Sequence, residues 1–285
     1  MSPLQGILDR WRRRYWRPGP DLEAFAGLRP LTVVTGGSQG IGLALARQFA
    51  RDGNGILLVA RDTQALATAG RRLAETGVAV HLLAADLATP EGCAAVEVEL
   101  AAQGAFADIL INNAGSGLSG PFAEQPPAGL ARLADLNMRA LTDLTRRFLP
   151  GMQARGRGGI LNVASLGGLV PGPNQAAYYA SKAYVISLTQ ALAHEVAGQG
   201  VRISALLPGP VATKFHAHMS AEHSYHLTLM GVMSPEQAAR AGYHGYHWGR
   251  TLIIPGVLNQ INALALRVIP HAFMIPVIGW MLKQR

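Results

Sequence analysis

The sequence predicts an α/β protein built on a doubly wound, seven-stranded parallel sheet with helices on both faces. Two observations predict it. Short apolar, β-branched runs alternate with longer helical patterns from residue 31 to residue 254. Such near-continuous apolar strands belong to a sheet covered on both sides. In addition, a glycine-rich turn joins the first run to the first helix, Thr35-Gly36-Gly37-Ser38-Gln39-Gly40-Ile41-Gly42. At 285 residues the chain is long enough to bury one large core of this kind.

In order, the runs at 31–35, 56–60, 78–84, 108–111, 159–163, 202–207 and 251–254 read as strands. Between them, 41–51, 63–75, 90–102, 129–149 and 175–196 read as helices. The helix at 175–196 has an apolar face of Ala176, Ala177, Ala180, Ala183, Ile186 and Leu188, and no Pro or Gly interrupts it before Gly198. Ser234-Pro235-Glu236-Gln237 starts a further helix with a capping box and proline in its first turn. The repeated βα unit requires right-handed crossovers. Segment 210–233 is irregular, mixes four histidines with Phe215, Met219, Tyr225, Leu227, Leu229 and Met230, and reads as a substrate lid.

Composition excludes several classes. An apolar fraction of 49% with 15% charged residues fits neither a disordered chain nor a membrane bundle. A single cysteine, Cys93, excludes an internal disulfide and suits a reducing, cytoplasmic compartment. The net charge of +8 comes mostly from scattered arginines, so no nucleic-acid partner is expected. His216, His218, His223 and His226 lack the spacing of a structural zinc site, and no cysteine or carboxylate cluster joins them, so no metal is expected.

Both ends stand apart from the domain at 31–256. Residues 1–30 form a basic, aromatic extension containing Trp11-Arg12-Arg13-Arg14-Tyr15-Trp16-Arg17, which suits either packing on protein or contact with anionic lipid. Residues 257–285 form an apolar tail, helix-like at 257–267 and interrupted by Pro270 and Pro276. Its apolar part is shorter than a span, and its face suits a second subunit or a membrane surface. No secretory signal is evident at the start.

The chemistry centres on Tyr178 and Lys182. Four residues apart on a helix, they share a face, so the phenol and the ammonium converge. A neighbouring cation favours the phenolate and makes the tyrosine a usable acid or base. For an isolated Tyr-x-x-x-Lys, a core aromatic beside a solvated lysine is the commoner arrangement. Tyr179 does not have the four-residue spacing to Lys182. Ser165, after the fifth strand, sits at a carboxyl end of the sheet, where its hydroxyl can donate to a carbonyl oxygen. The glycine turn suits a pyrophosphate at a helix N-terminus. At the end of the second strand, Ala60 offers no carboxylate for a ribose, whereas Arg61 offers a cationic fork suited to a 2′-phosphate. NADPH is therefore expected rather than NADH.

Together these motifs resemble the short-chain dehydrogenase/reductase family, in its shorter branch with a Thr-Gly-x-x-x-Gly-x-Gly turn, over about 31–254. The resemblance implies a Rossmann-type fold and an NADP(H)-dependent oxidoreductase. It implies that Asn137, Ser165, Tyr178 and Lys182 form the catalytic tetrad, with Asn137 in a water-mediated proton relay and Lys182 on the nicotinamide ribose. For the cofactor it implies Gly36, Ser38, Gln39, Gly40, Ile41 and Gly42 at the pyrophosphate turn, Arg61 near the ribose, and Asp86 and Leu87 at the adenine. It also implies Asn113, Ala114 and Gly115 along the adenosine ribose, and Pro208, Gly209, Val211 and Thr213 at the carboxamide. The seventh strand departs from the family: Ile253-Ile254-Pro255-Gly256 stands where many relatives have Asp-Gly-Gly. A homo-oligomer is expected, though this departure puts the usual tetrameric contact in doubt.

The expected activity is reduction of a ketone or aldehyde to an alcohol, or the reverse, on a small and mostly apolar carbonyl substrate. Alternatives are a non-catalytic NADP(H)-binding sensor on the same fold and a membrane-surface reductase of a lipid-like ketone.

Overall fold

The computed structural model describes residues 25, 27–213 and 232–282. Segment 214–231, with all four lid histidines, and residues 1–24 lie outside the described residues, as do the two expectations placed on them.

Seven parallel strands form one sheet: β1 (Arg29–Thr35), β2 (Gly55–Ala60), β3 (Val80–Ala84), β4 (Ala105–Asn112), β5 (Gly158–Val163), β6 (Val201–Leu206) and β7 (Leu252–Ile253). Their order is β3-β2-β1-β4-β5-β6-β7. The chain winds outward from β1 in one direction, then crosses over to β4 and winds in the other. The connections leaving the carboxyl ends of β1 and β4 therefore run to opposite sides of the sheet, and this switch point is where an open α/β sheet has its crevice.

The central strands are apolar because helices cover both faces. On one side lie α1 (Gly40–Phe49), α2 (Thr63–Ala74) and a helix at Pro235–His247. Leu45, Phe49, Leu73 and Tyr246 from these helices pack with Val34, Leu58 and Ile111 of the sheet. On the other side lie α3 (Pro90–Ala102) and helices at Ala140–Arg155 and Ala176–Glu195. Val96, Leu144, Met152 and Ala193 close on Val33, Leu57, Leu110 and Ile160. Each fully buried aliphatic side chain in these layers contributes roughly 1.5–3 kcal/mol.

The helix expected at 129–149 is three pieces: α4 (Pro127–Ala134), a π-helical turn at Asp135–Arg139, and α5 (Ala140–Arg155). The π turn carries Asn137, and such bulges collect at functional positions because they re-aim one side chain. α5 runs through Pro150 and ends at Gly156, whose φ of 60° is the left-handed conformation that stops a helix. Next come α6 (Ala176–Glu195) and α7 (Pro235–His247), the latter with the expected capping box between Ser234 and Gln237.

The apolar tail forms two helices, α8 (Val257–Val268) and α9 (His271–Met281). Among the described residues no helix is long and apolar enough to cross a membrane. Ile278 and Leu282 bury themselves against Val170, with Leu266, Met274 and Tyr179 packed alongside. The tail thus packs back onto its own domain, beside the carboxyl ends of the strands.

Candidate active site

The glycine turn is held from β4. Thr35 Oγ1 accepts from the N–H groups of Asn113 and Ala114 at 2.9 and 3.0 Å, and donates to the Ile111 carbonyl at 3.2 Å. Asn113 Nδ2 donates to the carbonyls of Thr35 and Gly36 at 3.0 and 3.1 Å. A Cβ on Gly42 would overlap the Gly36 carbonyl and Asn113 Nδ2, so glycine is required where α1 crosses this turn. Gly42 is accordingly buried behind the cleft, while Gly36, Ser38, Gln39, Gly40 and Ile41 line it. Thr213 closes the far side, its Cγ2 standing 3.1 Å from where a Gly40 Cβ would be. The residues expected at the ribose and carboxamide, Asn113, Ala114 and Gly115 with Pro208, Gly209 and Val211, all lie on the cleft wall. The Asn113 side chain also ties β4 to the turn.

Arg61 is exposed on the cleft wall just past β2. Its neighbour Asp62 does not pair with it but caps α2, accepting from Gln64 and Ala65 N–H at 3.0 and 2.9 Å. Asp86 also lines the cleft, and Arg132 of α4 donates to both its carboxylate oxygens at 2.9 Å. Partial burial pushes the Asp86 carboxyl up, but hydrogen bonds from Arg132 and Ala88 N–H, with the Arg132 and Arg61 charges, hold it below the usual carboxylate range. Arg132 was not singled out in the sequence; nothing local distinguishes it from the other scattered arginines.

Ser165, Tyr178 and Lys182 meet in this same cleft. Ser165 follows β5, takes the extended conformation, and accepts from Gly167 N–H at 3.1 Å. It also hydrogen-bonds the Tyr178 phenol. Lys182 is buried; its Nζ donates to the Val163 carbonyl at 2.9 Å and stands 5.8 Å from the centre of the Tyr178 ring. The structure corrects one expectation. Burial pushes the Tyr178 phenol up to about 12, with the Ser165 hydrogen bond the opposing influence. Burial also lowers Lys182 to about 8. In this apolar cleft the cost of desolvating charge exceeds what the helical spacing alone suggested.

Asn137 is 2% exposed and off the cleft wall. Its Oδ1 accepts from Ser116 N–H at 2.8 Å, and its Nδ2 donates to the Ser116 carbonyl at 2.9 Å and to Ser181 Oγ at 3.0 Å. Ser181 Oγ in turn donates to the Tyr178 carbonyl at 2.7 Å. Asn137 therefore joins the segment after β4 to the turn of α6 that carries the tyrosine.

The cleft has a volume of about 920 Å³. Beyond Tyr178 its wall turns apolar: Val170, Tyr179, Leu266, Met274, Ile278 and Leu282, most of them supplied by α8 and α9 or packed against them. The last stretch of the chain thus furnishes one side of the site. On the other side, the segment expected to be a lid starts and ends pinned together: Ala212 N–H donates to the Met233 carbonyl at 2.9 Å and Met233 N–H to the Pro210 carbonyl at 3.0 Å. Gln175, also missed in the sequence, lines the cleft three residues before Tyr178.

Comparison with known proteins agrees with this geometry. The family model described as short chain dehydrogenase matches residues 30–224. A very-long-chain 3-oxoacyl-CoA reductase from Anas platyrhynchos is 32% identical over 273 residues, covering 94% of this chain and 80% of that protein. A ketoacyl reductase from Nostoc is 32% identical over 212 residues, covering 73% and 72%. A solved short-chain dehydrogenase from Sphingobium yanoikuyae in complex with NADPH superposes with a TM-score of 0.73 at 35% identity, covering 85% of this chain and 97% of that one.

Proposed function

Because the chain belongs to the short-chain dehydrogenase family, whose members named above are oxidoreductases of carbonyl and hydroxyl groups, we propose that it is an NADPH-dependent reductase of a mostly apolar ketone or aldehyde. The observation that carries this reading is the convergence of Ser165, Tyr178 and Lys182 on the cleft that the glycine turn opens. The residues present fit a dinucleotide phosphate. Glycines keep the turn free of side chains, and Arg61 is exposed on the wall with Asp62 engaged elsewhere.

When bound, a reduced nicotinamide supplies the hydride. Ser165 donates to the substrate oxygen and stabilises the charge that develops on it. Tyr178 gives its proton to that oxygen as the general acid. Lys182, held by the Val163 carbonyl and 5.8 Å from the Tyr178 ring, would meet the nicotinamide ribose, as the family resemblance implies. Asn137 keeps the turn bearing Tyr178 in register with the β4 end. The apolar wall excludes water from the reacting atoms. Incubation with a panel of ketones and aldehydes, followed by NADPH absorbance, tests the reading; no NADPH consumption with any of them rejects it.

Arg61 sets the choice of cofactor. Arg61→Ala is expected to weaken NADPH binding by about 10–100-fold, the worth of a charge-assisted hydrogen bond. NADH binding should change little. Equal losses for the two, read by fluorescence titration, refute this role.

A second reading, reduction of a lipid-like ketone at a membrane surface, is favoured by the outer faces of α8 and α9. Leu258, Ile261, Leu264 and Phe273 are all more than half exposed there, beside the wall that their own helices give the cleft. Residues 257–285 hold Arg267, Lys283 and Arg285 and no acidic residue. That charge suits anionic lipid and sets two copies of the face against each other. In flotation assays the protein is expected to rise with phosphatidylglycerol vesicles, and Leu264→Asp with Phe273→Asp to abolish this. Wild-type protein left at the bottom of the gradient removes the reading. If the same pair instead converts a dimer to a monomer, the face is a subunit contact.

A further inference from the structure

Arg61 shares its end of the cleft with a carboxylate. β2 and β3 are neighbours in the sheet, with Ala60 opposite Ala84 in register, and the Ala85 N–H donates to the Ala60 carbonyl at 3.0 Å. Strands paired in this way lie about 4.8 Å apart. Arg61 follows the end of β2 and Asp86 the end of β3, and both line the cleft. The two charges feel each other, since Arg61 is near enough to favour the ionised form of Asp86.

Left to itself, this carboxylate opposes a cofactor that carries a 2′-phosphate. It competes for the Arg61 guanidinium, and its charge repels the incoming phosphate. In dinucleotide-binding folds an acid beside the ribose suits NADH, whereas an arginine there accommodates the phosphate of NADPH. The cleft assigned to NADPH therefore holds an acid where one is unfavourable.

Arg132 removes the conflict. It reaches Asp86 from α4, 46 positions away in the chain, and its Nη2 donates to both carboxylate oxygens at 2.9 Å. The Ala88 N–H adds a bond to Oδ1 at 3.1 Å. Asp62, the acid next to Arg61 in the chain, is engaged in capping α2. Neither carboxylate therefore claims Arg61. Arg132 itself is off the cleft wall, so it acts on Asp86 and not on a bound dinucleotide. As a staple for the fold the pair does little: both side chains are more than a third exposed, and exposed ion pairs contribute small stabilities.

We propose that Arg132 is a positioning residue for cofactor choice: it holds and neutralises Asp86, which leaves Arg61 to the 2′-phosphate of NADPH. The inference rests on the NADPH reading above. It makes the preference a shared property of Arg61, Asp86 and Arg132, of which only the first is visible as a phosphate group's partner in the sequence.

Fluorescence titration with NADPH and with NADH, in the absence of any carbonyl compound, tests this on wild type, Arg132→Met, Asp86→Asn and the double variant. Wild type should bind NADPH about 10-fold or more tightly than NADH. Arg132→Met should cut that ratio by about 10-fold, the Coulomb effect of one uncovered charge a few ångströms from another near a protein surface. The loss should fall on NADPH, while NADH, which lacks the phosphate, loses little. Adding Asp86→Asn to Arg132→Met should restore the ratio, because the amide keeps the shape of the carboxylate without its charge. Asp86→Asn alone should keep it. Melting temperatures should hardly change, since the pair is exposed. Equal losses for the two dinucleotides, or an unchanged ratio in Arg132→Met, assign Arg132 to the scaffold and overturn the proposal. A lost ratio that Asp86→Asn does not restore also overturns it, because Arg132 then acts without Asp86. A wild type with no preference for NADPH overturns both this proposal and the role given to Arg61. The reductase reading is decided separately: it falls if no carbonyl in the panel consumes NADPH, whatever the binding ratios.

Discussion

Replacing Tyr178 by phenylalanine is expected to lower kcat for carbonyl reduction by about 10³-fold, within the range that general acid catalysis contributes. NADPH affinity should stay nearly unchanged, because the ring remains and only the hydroxyl goes. Burial holds the phenol at about 12, so it is fully protonated at neutral pH and reduction always finds its acid present. The reverse direction needs the phenolate. Alcohol oxidation should therefore rise with pH, by roughly tenfold per unit at most, as the rare deprotonated form becomes less rare. In Tyr178→Phe that rise should disappear. Rates measured in both directions across the alkaline range check the assignment; a variant with undiminished turnover would falsify it.

The second large effect belongs to Gly42→Ala. The added methyl has nowhere to go, since the Gly36 carbonyl and Asn113 Nδ2 already occupy the space. Asn113 cannot retreat without releasing its bonds to Thr35 and Gly36, which hold the turn to β4. Overpacking of this kind costs about 3 kcal/mol, which for a chain of this size is a fall of roughly 5–10 °C in melting temperature. The turn also loses its shape for a pyrophosphate, so NADPH binding should weaken by about 100-fold, a loss of roughly 3 kcal/mol of binding free energy. Calorimetric unfolding and fluorescence titration read the two effects separately. A variant with wild-type melting and binding would show that the turn can move.

Much of this was legible in the sequence for a physical reason. Strands buried on both faces must be apolar, so β1, β2, β5 and β6 appeared as continuous runs at nearly their observed bounds. Glycines at a turn between strand and helix marked the nucleotide end, whereas the helical spacing of Tyr178 and Lys182 pointed to chemistry only in combination with that turn and the other family motifs. What was hidden depended on distance. The π turn at Asp135–Arg139 leaves no pattern, because one extra residue per turn hardly disturbs the apolar spacing of the flanking helices. The Asp86–Arg132 pair joins residues 46 positions apart, and charge alone does not choose one arginine among many. Desolvation of Tyr178 and Lys182 needed the packed cleft to be seen, which reversed the expected direction for the phenol. The tail read as apolar in the sequence, but only its packing on Val170 and Tyr179 gave it a place in the site.

That last placement divides the labour of the molecule. On the proposed reading, the sheet with its glycine turn, Ser165 and α6 handles electrons and protons, whereas much of the wall left for the organic guest comes from two helices outside the strand–helix alternation. Selectivity can then drift without endangering turnover. Exchanges along α8 and α9 reshape the berth while the reducing apparatus stands untouched, which lets one chassis be retuned from compound to compound.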